Sequence, residues 1–390
     1  MRIEDYALIA DTHSAGLVSR TGSIDWLCLP RFDSASCFAR ILDEEHGGHW
    51  SIAPAEEIEE TSRRYVDDTL ILETTFRTRS GVVRLIDLLA MESGSDPEHP
   101  RGARPGEVVA RTVACDAGIV EMQLDYQPRL DYAGVVPWFR EQHGVIEAVG
   151  GQDALDLVAD IPLEVTRSGV RARFSIEAGE ERSFLAIYHP AHVEVPHRDP
   201  NECKRLFETS TRFWHDWIGR TTYSGRWRAH VMRSLLTLKA LIYDPTGGVV
   251  AAPTTSLPEK IGGQRNWDYR YCWLRDATFL LDVLLEQGYT AEATEWRDWL
   301  LRSVAGHAAD MQIMYGVMGA RRLYEFELPL QGYENSRPVR IGNAAHAQFQ
   351  LDVYGELMDS FHSARRAGID TPPRAWEMET AIVEFVCDHW

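Results

Sequence analysis

The chain lacks the long apolar runs and the basic leader that mark membrane and exported proteins. No apolar run reaches the roughly 18 residues of a membrane span. The N-terminal stretch MRIEDYALIADTHS carries acidic residues where a signal peptide would carry a basic end and an unbroken apolar stretch. We therefore expect a cytoplasmic protein with no membrane partner.

Cysteine is scarce, and its spacing excludes the usual metal and redox motifs. The six cysteines are scattered and show no CxxC spacing, so we expect reduced, largely buried thiols: Cys28, Cys37, Cys115, Cys203, Cys272 and Cys387. His46 and His49 in HGGH have no third ligand in view, so no metal site and no cofactor is predicted. A phosphate loop and a serine elbow are also missing.

Positive charge is in the minority. The chain has 59 acidic and 40 basic residues, a net charge of −19, which repels phosphate backbones and anionic surfaces. Nucleic acid is therefore excluded as a partner, whereas neutral ligands such as sugars are compatible with this field. A length of 390 residues with 44% apolar content predicts two globular domains.

The first 200 residues show an alternation of period two. In GIVEMQLDYQP, apolar residues from Val120 to Tyr126 alternate with polar ones, as in a strand with one buried face. The same pattern flanks turns at Ser80-Gly81 and Ala178-Gly179. Many short strands without helical periods between them predict an antiparallel β-sandwich over residues 1–200.

The period changes after the proline- and histidine-rich stretch 188–202. We interpret residues 201–224 as a linker with a helix and residues 225–390 as an all-helical domain. One helix, capped by Ser224, would bury the face formed by Trp227, Val231, Leu235, Leu238 and Ile242. Further helices are predicted near 273–287, 291–304, 344–366 and 374–390. The helix at 344–366 would bury Ala347, Leu351, Tyr354, Met358 and Phe361.

The stretch NWDYRYCWLRDATFLL, residues 266–281, concentrates aromatic residues before an Arg275-Asp276 pair. Sugars present apolar C–H faces and a rim of hydroxyls, which suit aromatic planes and charged forks. Each aromatic could instead be a core anchor, and the pair could be a helix-capping ion pair. Four aromatics in one glycine- and proline-bounded loop nevertheless favour a ligand-facing role for at least one: Trp267, Tyr269, Tyr271 and Trp273.

Three long segments resemble one enzyme family. GGVVAAPTTSLPEKIGGQRNWDYRYCWLRDATFLLDVLLEQG and LPLQGYENSRPVRIGNAAHAQFQLDVYGELMDS resemble the catalytic domain of glycoside hydrolase family 15, the glucoamylase and bacterial trehalase family. YALIADTHSAGLVSRTGSIDWLCLPRFDSASCFARIL resembles the N-terminal β-domain of its bacterial members. The resemblance implies a β-sandwich followed by an (α/α) toroid of six helical hairpins, here incomplete, and hydrolysis of α-glucosidic bonds with inversion.

The resemblance also implies a set of substrate-binding residues. An Arg-Asp pair of the family holds the hydroxyls of the non-reducing terminal glucose, and a tryptophan two positions before it helps to wall that pocket. An arginine in SRPVR lies near the same subsite, and the asparagine of IGNAA has a weaker claim. That asparagine could also cap a helix, and both roles could hold. The expected set is Arg275, Asp276, Trp273, Tyr271, Arg337 and Asn343. Met318 replaces an expected acid and Asn335 an expected glycine, which puts the contributions of their loops in doubt.

The catalytic carboxylates are not assigned within the chain. Glycoside cleavage needs two of them, and in the family the acid follows soon after a helix like METAIVEFVCDHW while the base lies further on. By the resemblance both fall beyond Trp390, and only about five or six of twelve toroid helices are found. We therefore expect the 390 residues to be about two thirds of an enzyme and inactive alone. Glu325, Glu327 and Glu334 could serve as acid or base, but acids in loops are usually solvated.

Two functions stay open at this point. The first is an inverting α-glucoside hydrolase that releases glucose from the non-reducing end of trehalose or of maltooligosaccharides. The alternative is a shortened paralogue that binds α-glucans without catalysis. An unclosed toroid would expose apolar helix faces, which leaves homo-oligomerisation open as well.

Overall fold

The computed structural model describes residues 1–93, 103–196, 198–304 and 307–390. The chain divides into two compact units, one of Met1–Trp217 with Leu330–Glu334 and one of Ile218–Pro329 with Asn335–Trp390. The domain boundaries expected at residues 200 and 224 stay predictions. The helix expected within the linker groups with the first unit.

The first unit is built from strands and one long helix. Its described elements are β1 (Tyr6–Ala10), β2 (Ala15–Ser19), β3 (Ser23–Cys28), β4 (Ser36–Phe38), β5 (His49–Pro54), β6 (Ile58–Tyr65), β7 (Leu72–Thr78), β8 (Gly81–Ser93), β9 (Ala103–Gln127), β10 (Trp138–Gln142), β11 (Val145–Gly150), β12 (Asp153–Ala159), β13 (Glu164–Val165), β14 (Val170–Glu177), β15 (Glu181–Pro190) and α1 (Cys203–Ile218).

The strands form two antiparallel sheets that share β9. The first sheet runs β1-β2-β3-β5-β9-β14, with β4 beside β3 and β13 beside β14. The second runs β6-β7-β8-β9-β15-β12-β11-β10. Up to Gly118, β9 pairs with β8 and β15, and from Ile119 onward it pairs with β14 and β5. This arrangement confirms the predicted antiparallel β-sandwich.

A glycine marks the point where β9 passes from one sheet to the other. Gly118 has a φ of 78°, in the left-handed region, and a Cβ atom on it would lie 1.9 Å from the carbonyl oxygen of Ser80. Only glycine fits there, because a side chain would displace the β7–β8 turn. The predicted turn at Ala178-Gly179 is also present, and it joins β14 of the first sheet to β15 of the second.

The core lies between the two sheets. The predicted alternation on β9 is confirmed, because Val120, Met122, Leu124 and Tyr126 are all buried within it. The ring of Tyr126 meets that of Trp50 edge to face at 5.6 Å. A second apolar cluster joins α1, through residues such as Cys203 and Leu206, to the other face of the second sheet.

A charged pair is buried inside this core. Arg111 on β9 and Asp87 on β8 are 0% exposed, and Arg111 Nε donates to Asp87 Oδ1 at 2.7 Å. The other guanidinium nitrogens donate to the carbonyl oxygens of Trp50 at 2.6 Å and Gly22 at 2.7 Å. Arg111 thus links the second sheet to backbone of the first.

A second buried carboxyl group in the first unit, that of Asp11, has no ion pair among the described residues. Asp11 is 0% exposed, and its Oδ1 accepts from the amides of Ser14 at 2.8 Å and His13 at 2.9 Å. Its Oδ2 has no hydrogen-bond partner among the described residues. Burial raises the pKa of the Asp11 carboxyl to about 7, although the amides of Ser14 and His13 oppose the shift.

The second unit consists of helices and short two-stranded sheets. Its described strands are β16 (Ile242–Tyr243), β17 (Gly248–Val249), β18 (Thr255–Pro258), β19 (Asn266–Asp268), β20 (Cys272–Trp273), β21 (Met314–Tyr315), β22 (Phe326–Leu328) and β23 (Val339–Ile341). Its described α-helices are α2 (Arg228–Ala240), α3 (Leu274–Glu286), α4 (Thr290–Ser303), α5 (Asp352–Arg366) and α6 (Pro373–His389). The helices α3, α4 and α6 agree with the predicted segments, and α3 packs against α5. A β domain followed by helices confirms the expected fold class.

The predicted buried face of α2 is wrong in part, because Leu235 and Ile242 are buried as expected but Trp227 is not. Trp227 precedes the helix and is 54% exposed, with the Arg226 guanidinium 4.6 Å from its ring, and Ser224 does not cap the helix. The buried residues are Met232, Leu235, Leu236, Lys239 and Ala240. The helix is rotated because Lys239 turns inward, where its Nζ lies 3.0 Å from Asp244 and 3.6 Å from Glu292.

The predicted helix over 344–366 is wrong at its beginning. Residues Ala344–Ala347 form a single 3-10 turn, and Gln348 is extended with a ψ of 144°, so α5 begins only at Asp352. Ala347 and Leu351 are accordingly exposed, whereas Tyr354 and Phe361 are buried as expected. Asn343 therefore caps the short 3-10 turn at Ala344–Ala347 and not α5.

Two further expectations concern the whole chain. Five of the six cysteines are buried, and Cys387 is exposed. Among the described residues, none of the helices has the length and apolar character needed to cross a lipid bilayer.

Replacing Arg111 by Met should destabilise the protein by about 3–5 kcal/mol, because Asp87 and two buried carbonyls lose their donor. The double variant Arg111→Met/Asp87→Leu should recover much of that loss, since it leaves no unpaired charge. Urea denaturation followed by circular dichroism measures both. A change below about 1 kcal/mol for Arg111→Met alone would contradict the role given to this contact.

As the pH rises from about 4 to about 7, the free energy of unfolding of the wild type should decrease relative to that of Asp11→Asn. Folded Asp11 keeps its proton up to about pH 7, whereas an unfolded aspartate loses it near pH 4. Its contribution to folding is thus complete below about pH 4 and is lost as the pH rises through the folded pKa. Urea denaturation of both proteins across this range tests it. Parallel stability curves would show that Asp11 does not titrate in this window.

Candidate functional site

A cavity of about 460 Å³ lies in the second unit beside the aromatic stretch. Its wall includes Trp267, Tyr269 and Trp273, together with Arg275 and Glu325. The volume is in the range of about 300–1,000 Å³ found for small-molecule sites. An apolar aromatic wall with a few charged groups is the composition that such sites share.

The aromatic wall arises from alternation along β19 and the segment that follows it. Trp267 and Tyr269 are half-buried and line the cavity, whereas Asp268 and Arg270, which alternate with them along the chain, are 0% exposed. The rings of Tyr269 and Trp273 lie 5.4 Å apart at 45°. Successive residues of an extended segment point to opposite sides, so the aromatics share one side and the ions the other.

A buried ion pair supports the wall from behind. Arg270 donates to Asp268 through Nε at 2.9 Å and through a terminal nitrogen at 2.7 Å, a bidentate contact. Asp268 also accepts from the amide of Gly342 at 3.2 Å, and its carbonyl accepts from the side chain of Asn343 at 3.1 Å. These contacts tie the aromatic segment to the loop at 342–343.

Arg340 packs against the ring of Trp267. Its guanidinium carbon lies 4.7 Å from the centre of the Trp267 ring, a cation–π distance. Its Nε lies 3.2 Å from Glu325 Oε1, and Glu325 Oε2 accepts from the amide of Ala344 at 3.2 Å. The cavity carboxylate is therefore held by contacts within the protein.

Arg275 is positioned by the start of another helix. It lies in the first turn of α3, and its NH1 donates to Asp352 Oδ2 at 2.8 Å, at the beginning of α5. This hydrogen bond raises the pKa of the Arg275 guanidinium. The side chain is 40% exposed, so a face of the guanidinium stays accessible to a ligand. We infer a fixed cation with unused donors, because arginine has five N–H groups.

Tyr269 adds a hydroxyl group that stays protonated. Burial raises the pKa of Tyr269, and the negative charges of Glu259 and Asp276 raise it further. The phenol can therefore donate a hydrogen bond at neutral pH. The charge of Asp276 acts on a residue that lines the cavity, although Asp276 itself is exposed and is not part of the wall.

The structure brings only part of the predicted set together. Trp273, Arg275 and Asn343 line the cavity. Tyr271 is buried at 8% exposure and Arg337 is exposed, and neither contributes to the cavity wall. The roles in substrate binding stay predictions for all six residues of the set.

Asn343 fulfils the alternative weighed for it. Its side chain accepts from the amide of Ala345 at 3.0 Å and so caps the 3-10 turn at Ala344–Ala347. Its side-chain amide also donates to the backbone carbonyl of Asp268. These contacts within the protein explain why Asn343 lies at the cavity wall.

Asp268, Arg270 and Arg340 are site residues that the sequence interpretation missed. The alternation of aromatic and charged residues in NWDYRY was a usable signal, because it separates an outward face from an inward one. For Arg340 the motif SRPVR contained two arginines, and only Arg337 was selected. The contact between Arg340 and Glu325 joins strands β23 and the segment before β22, which no local pattern predicts.

The remaining acidic candidates lie elsewhere. Glu327 has a side chain that is 67% exposed, and Glu334 belongs to the segment that groups with the first unit. His46 lies 3.2 Å from Asp43, and His49 lies 3.7 Å from Asp125. Within the ranges that the structure describes, no cluster of three histidine, cysteine or acidic residues could hold a metal ion.

The two departures from the family pattern are accommodated differently. Asn335 has a φ of 60°, the left-handed conformation that favours the expected glycine and that asparagine tolerates. Met318 is 57% exposed and does not line the cavity. The loop of Met318 therefore offers no acid to the described cavity wall.

Comparisons with known proteins cover both units. Residues 225–390 match the family model "Glycosyl hydrolases family 15", and residues 1–185 match "Trehalase-like, N-terminal". The chain is 35% identical to a trehalase of Mycobacterium tuberculosis and 36% identical to one of Mycolicibacterium smegmatis, in each case over its whole length. A trehalase of Thermoplasma acidophilum is 36% identical over 90% of the chain.

The match is partial when measured on the relatives. The chain spans 60%, 61% and 59% of the length of these three proteins. Taken together, the two family models cover most of the chain in the order expected from the resemblance. Residues 1–185 therefore match a trehalase-like N-terminal domain, and residues 225–390 match glycosyl hydrolase family 15.

Proposed function

We propose that the chain binds the terminal glucose of trehalose as the substrate-binding part of an inverting α-glucoside hydrolase. The observation that carries this proposal is the cavity, in which three aromatic rings and Arg275 face one space of about 460 Å³. The choice of trehalose over maltooligosaccharides is supported by the relatives, since six matched proteins are named trehalase.

The aromatic wall and Arg275 divide the recognition of glucose between them. Trp273 and Tyr269 receive the C–H face of the ring, which an aromatic plane contacts favourably. Arg275 donates to ring hydroxyls from a position that Asp352 holds before the sugar arrives. Asp276, the next residue, accepts from a hydroxyl at the margin of the cavity. Because these groups are held by contacts in the protein, little ordering is needed on binding.

Proton transfer is assigned to carboxylates other than those of the described cavity wall. Inversion requires an acid and a base about 6.5–9.5 Å apart, on opposite faces of the sugar. The described wall has one carboxylate, Glu325, whose oxygens are engaged by Arg340 and by the amide of Ala344. Glu325 therefore acts in this proposal as a positioning residue for the aromatic wall.

Replacing Arg275 by Ala should weaken trehalose binding to the 390-residue chain. Leaving buried sugar hydroxyls without a partner costs about 1–3 kcal/mol, which corresponds to roughly 5- to 150-fold in Kd. Asp276→Asn should weaken binding less, because the amide keeps the shape and one acceptor. Isothermal titration calorimetry with trehalose measures both effects.

The matched control for that experiment is Arg265→Ala. Arg265 lies in the loop before β19, its side chain is 77% exposed, and it does not line the cavity. A thermal melt of each variant reports folding. Unchanged affinity in a well-folded Arg275→Ala variant would leave Arg275 with a structural role alone, in its ion pair with Asp352.

The 390-residue chain should release no glucose from trehalose above a buffer blank. Binding contacts cannot replace an acid and a base, each of which contributes around 10²–10⁴ in rate. A glucose assay on the purified chain tests this. Release that disappears in a Glu325→Gln variant would overturn the assignment of Glu325 as a positioning residue.

A further inference from the structure

A second and larger cavity lies in the first unit, on the β domain. It is a groove of about 790 Å³ on the outer face of the second sheet, formed by β10, β11, β12 and β15 with the segment at 191–196. Four strands spaced about 4.8 Å apart give it a width of roughly 14 Å. We name it the sheet groove. Nothing in the expected function of the cavity at Arg275 accounts for it.

An exposed tryptophan stands on the rim of the sheet groove. Trp138 is 85% exposed on β10, the last strand of the sheet. Its neighbour Phe139 packs against the sandwich core, so β10 is anchored without the indole. Trp138, Arg140 and Gln142 alternate along β10 and all line the groove. An indole that the fold does not bury is available as a flat binding surface.

The charges in the sheet groove compensate each other. Arg140 on β10 donates to Glu147 on β11 at 2.6 Å and 2.9 Å. Arg198 is paired with Glu202 at 2.8 Å and with Glu92. Since each of these cations already has a carboxylate, the groove offers no strong net charge to an ionic ligand. A neutral ligand with many hydroxyl groups can bind beside such pairs without separating them.

A buried acceptor lies at the floor of the same groove. The Asp156 side chain is 6% exposed, and its Oδ2 is 3.2 Å from His189 Nε2. Its Oδ1 has no hydrogen-bond partner among the described residues. Burial raises the pKa of Asp156, and His189 opposes the shift. Because Oδ1 is itself buried and Oδ2 is bonded to His189, Asp156 shapes the floor of the groove and is not used to bind a ligand.

We propose that the sheet groove binds an α-linked gluco-oligosaccharide, with Trp138 stacking on a sugar ring and Arg140 and Gln142 bonding its hydroxyls. A sugar combines the required features, because it is neutral, it has an apolar face for the indole, and its hydroxyls both donate and accept. The width of the groove suits a chain of sugar rings. The choice of an α-glucan among carbohydrates rests on the proposed function. The inference that the sheet groove binds a carbohydrate does not depend on that function.

The test is binding of maltoheptaose to the 390-residue chain carrying Arg275→Ala, which disables the cavity of the second unit. Calorimetry should show binding in this background. Adding Trp138→Ala should weaken it about tenfold or more, as expected for loss of an aromatic platform. Trp138→Phe should restore most of the affinity, and Gln142→Ala should weaken binding without affecting the thermal melt, because Gln142 is exposed.

The matched control is Trp376→Ala, which removes an exposed tryptophan from α6 and should leave affinity unchanged. Light scattering reports the oligomeric state of every variant. The proposal is overturned if maltoheptaose does not bind in the Arg275→Ala background, if Trp138→Ala leaves affinity unchanged, or if Trp138→Ala alters only self-association. Failure of trehalose to bind the wild type would instead count against the proposed function and leave this result unaffected.

Discussion

The buried guanidinium of Arg111 is the contact on which the β domain depends most. A charge taken out of water is tolerated only when its hydrogen-bonding groups are satisfied. Arg111 meets that condition with one carboxylate from its own sheet and two carbonyl oxygens from the other. The two carbonyls belong to the β2–β3 turn and to β5, and that of Gly22 also accepts from the amide of Ile52 at 3.1 Å. The pair therefore aligns the sheets as well as joining them.

The helical unit uses the same device beneath its cavity. Asp268 and Arg270 are fully buried and form a bidentate ion pair, and Asp268 also accepts a hydrogen bond from the amide of Gly342. Because the charged residues alternate with Trp267 and Tyr269, burying the ions on one side presents the rings on the other. The rigidity of the aromatic wall is thus a consequence of ion burial. A site supported in this way is prepared before a ligand arrives.

The sequence predicted the β domain well because its pattern is local. Alternation along β9 and turns at Ser80-Gly81 and Ala178-Gly179 reflect the pleat and backbone freedom, which act over a few residues. The helix faces were harder. Lys239 lies on the buried face of α2, where one of its partners is Glu292, far along the chain. The periodicity of apolar residues carries no information about such a contact.

The same limit applies to the cavity. The family pattern selected Trp273 and Arg275, which line it, but not Arg340, whose partners come from other segments. For Asn343 a local rule, capping, predicted a contact that the structure shows, whereas its role in substrate binding stays a prediction. The resemblance selected residues of which three line the cavity, and three-dimensional contacts determined which other side chains lie beside it.

The passage of β9 through both sheets has a consequence for how the β domain opens. Residues 109–114 and 122–126 of β9 have a paired strand on both sides, so their amides lie at the centre of the two sheets. Unzipping either sheet past β9 would strip partners from a strand that also belongs to the other sheet. The amides of β9 should accordingly be among the slowest in the domain to exchange with solvent deuterium, and the two sheets should melt as one cooperative unit.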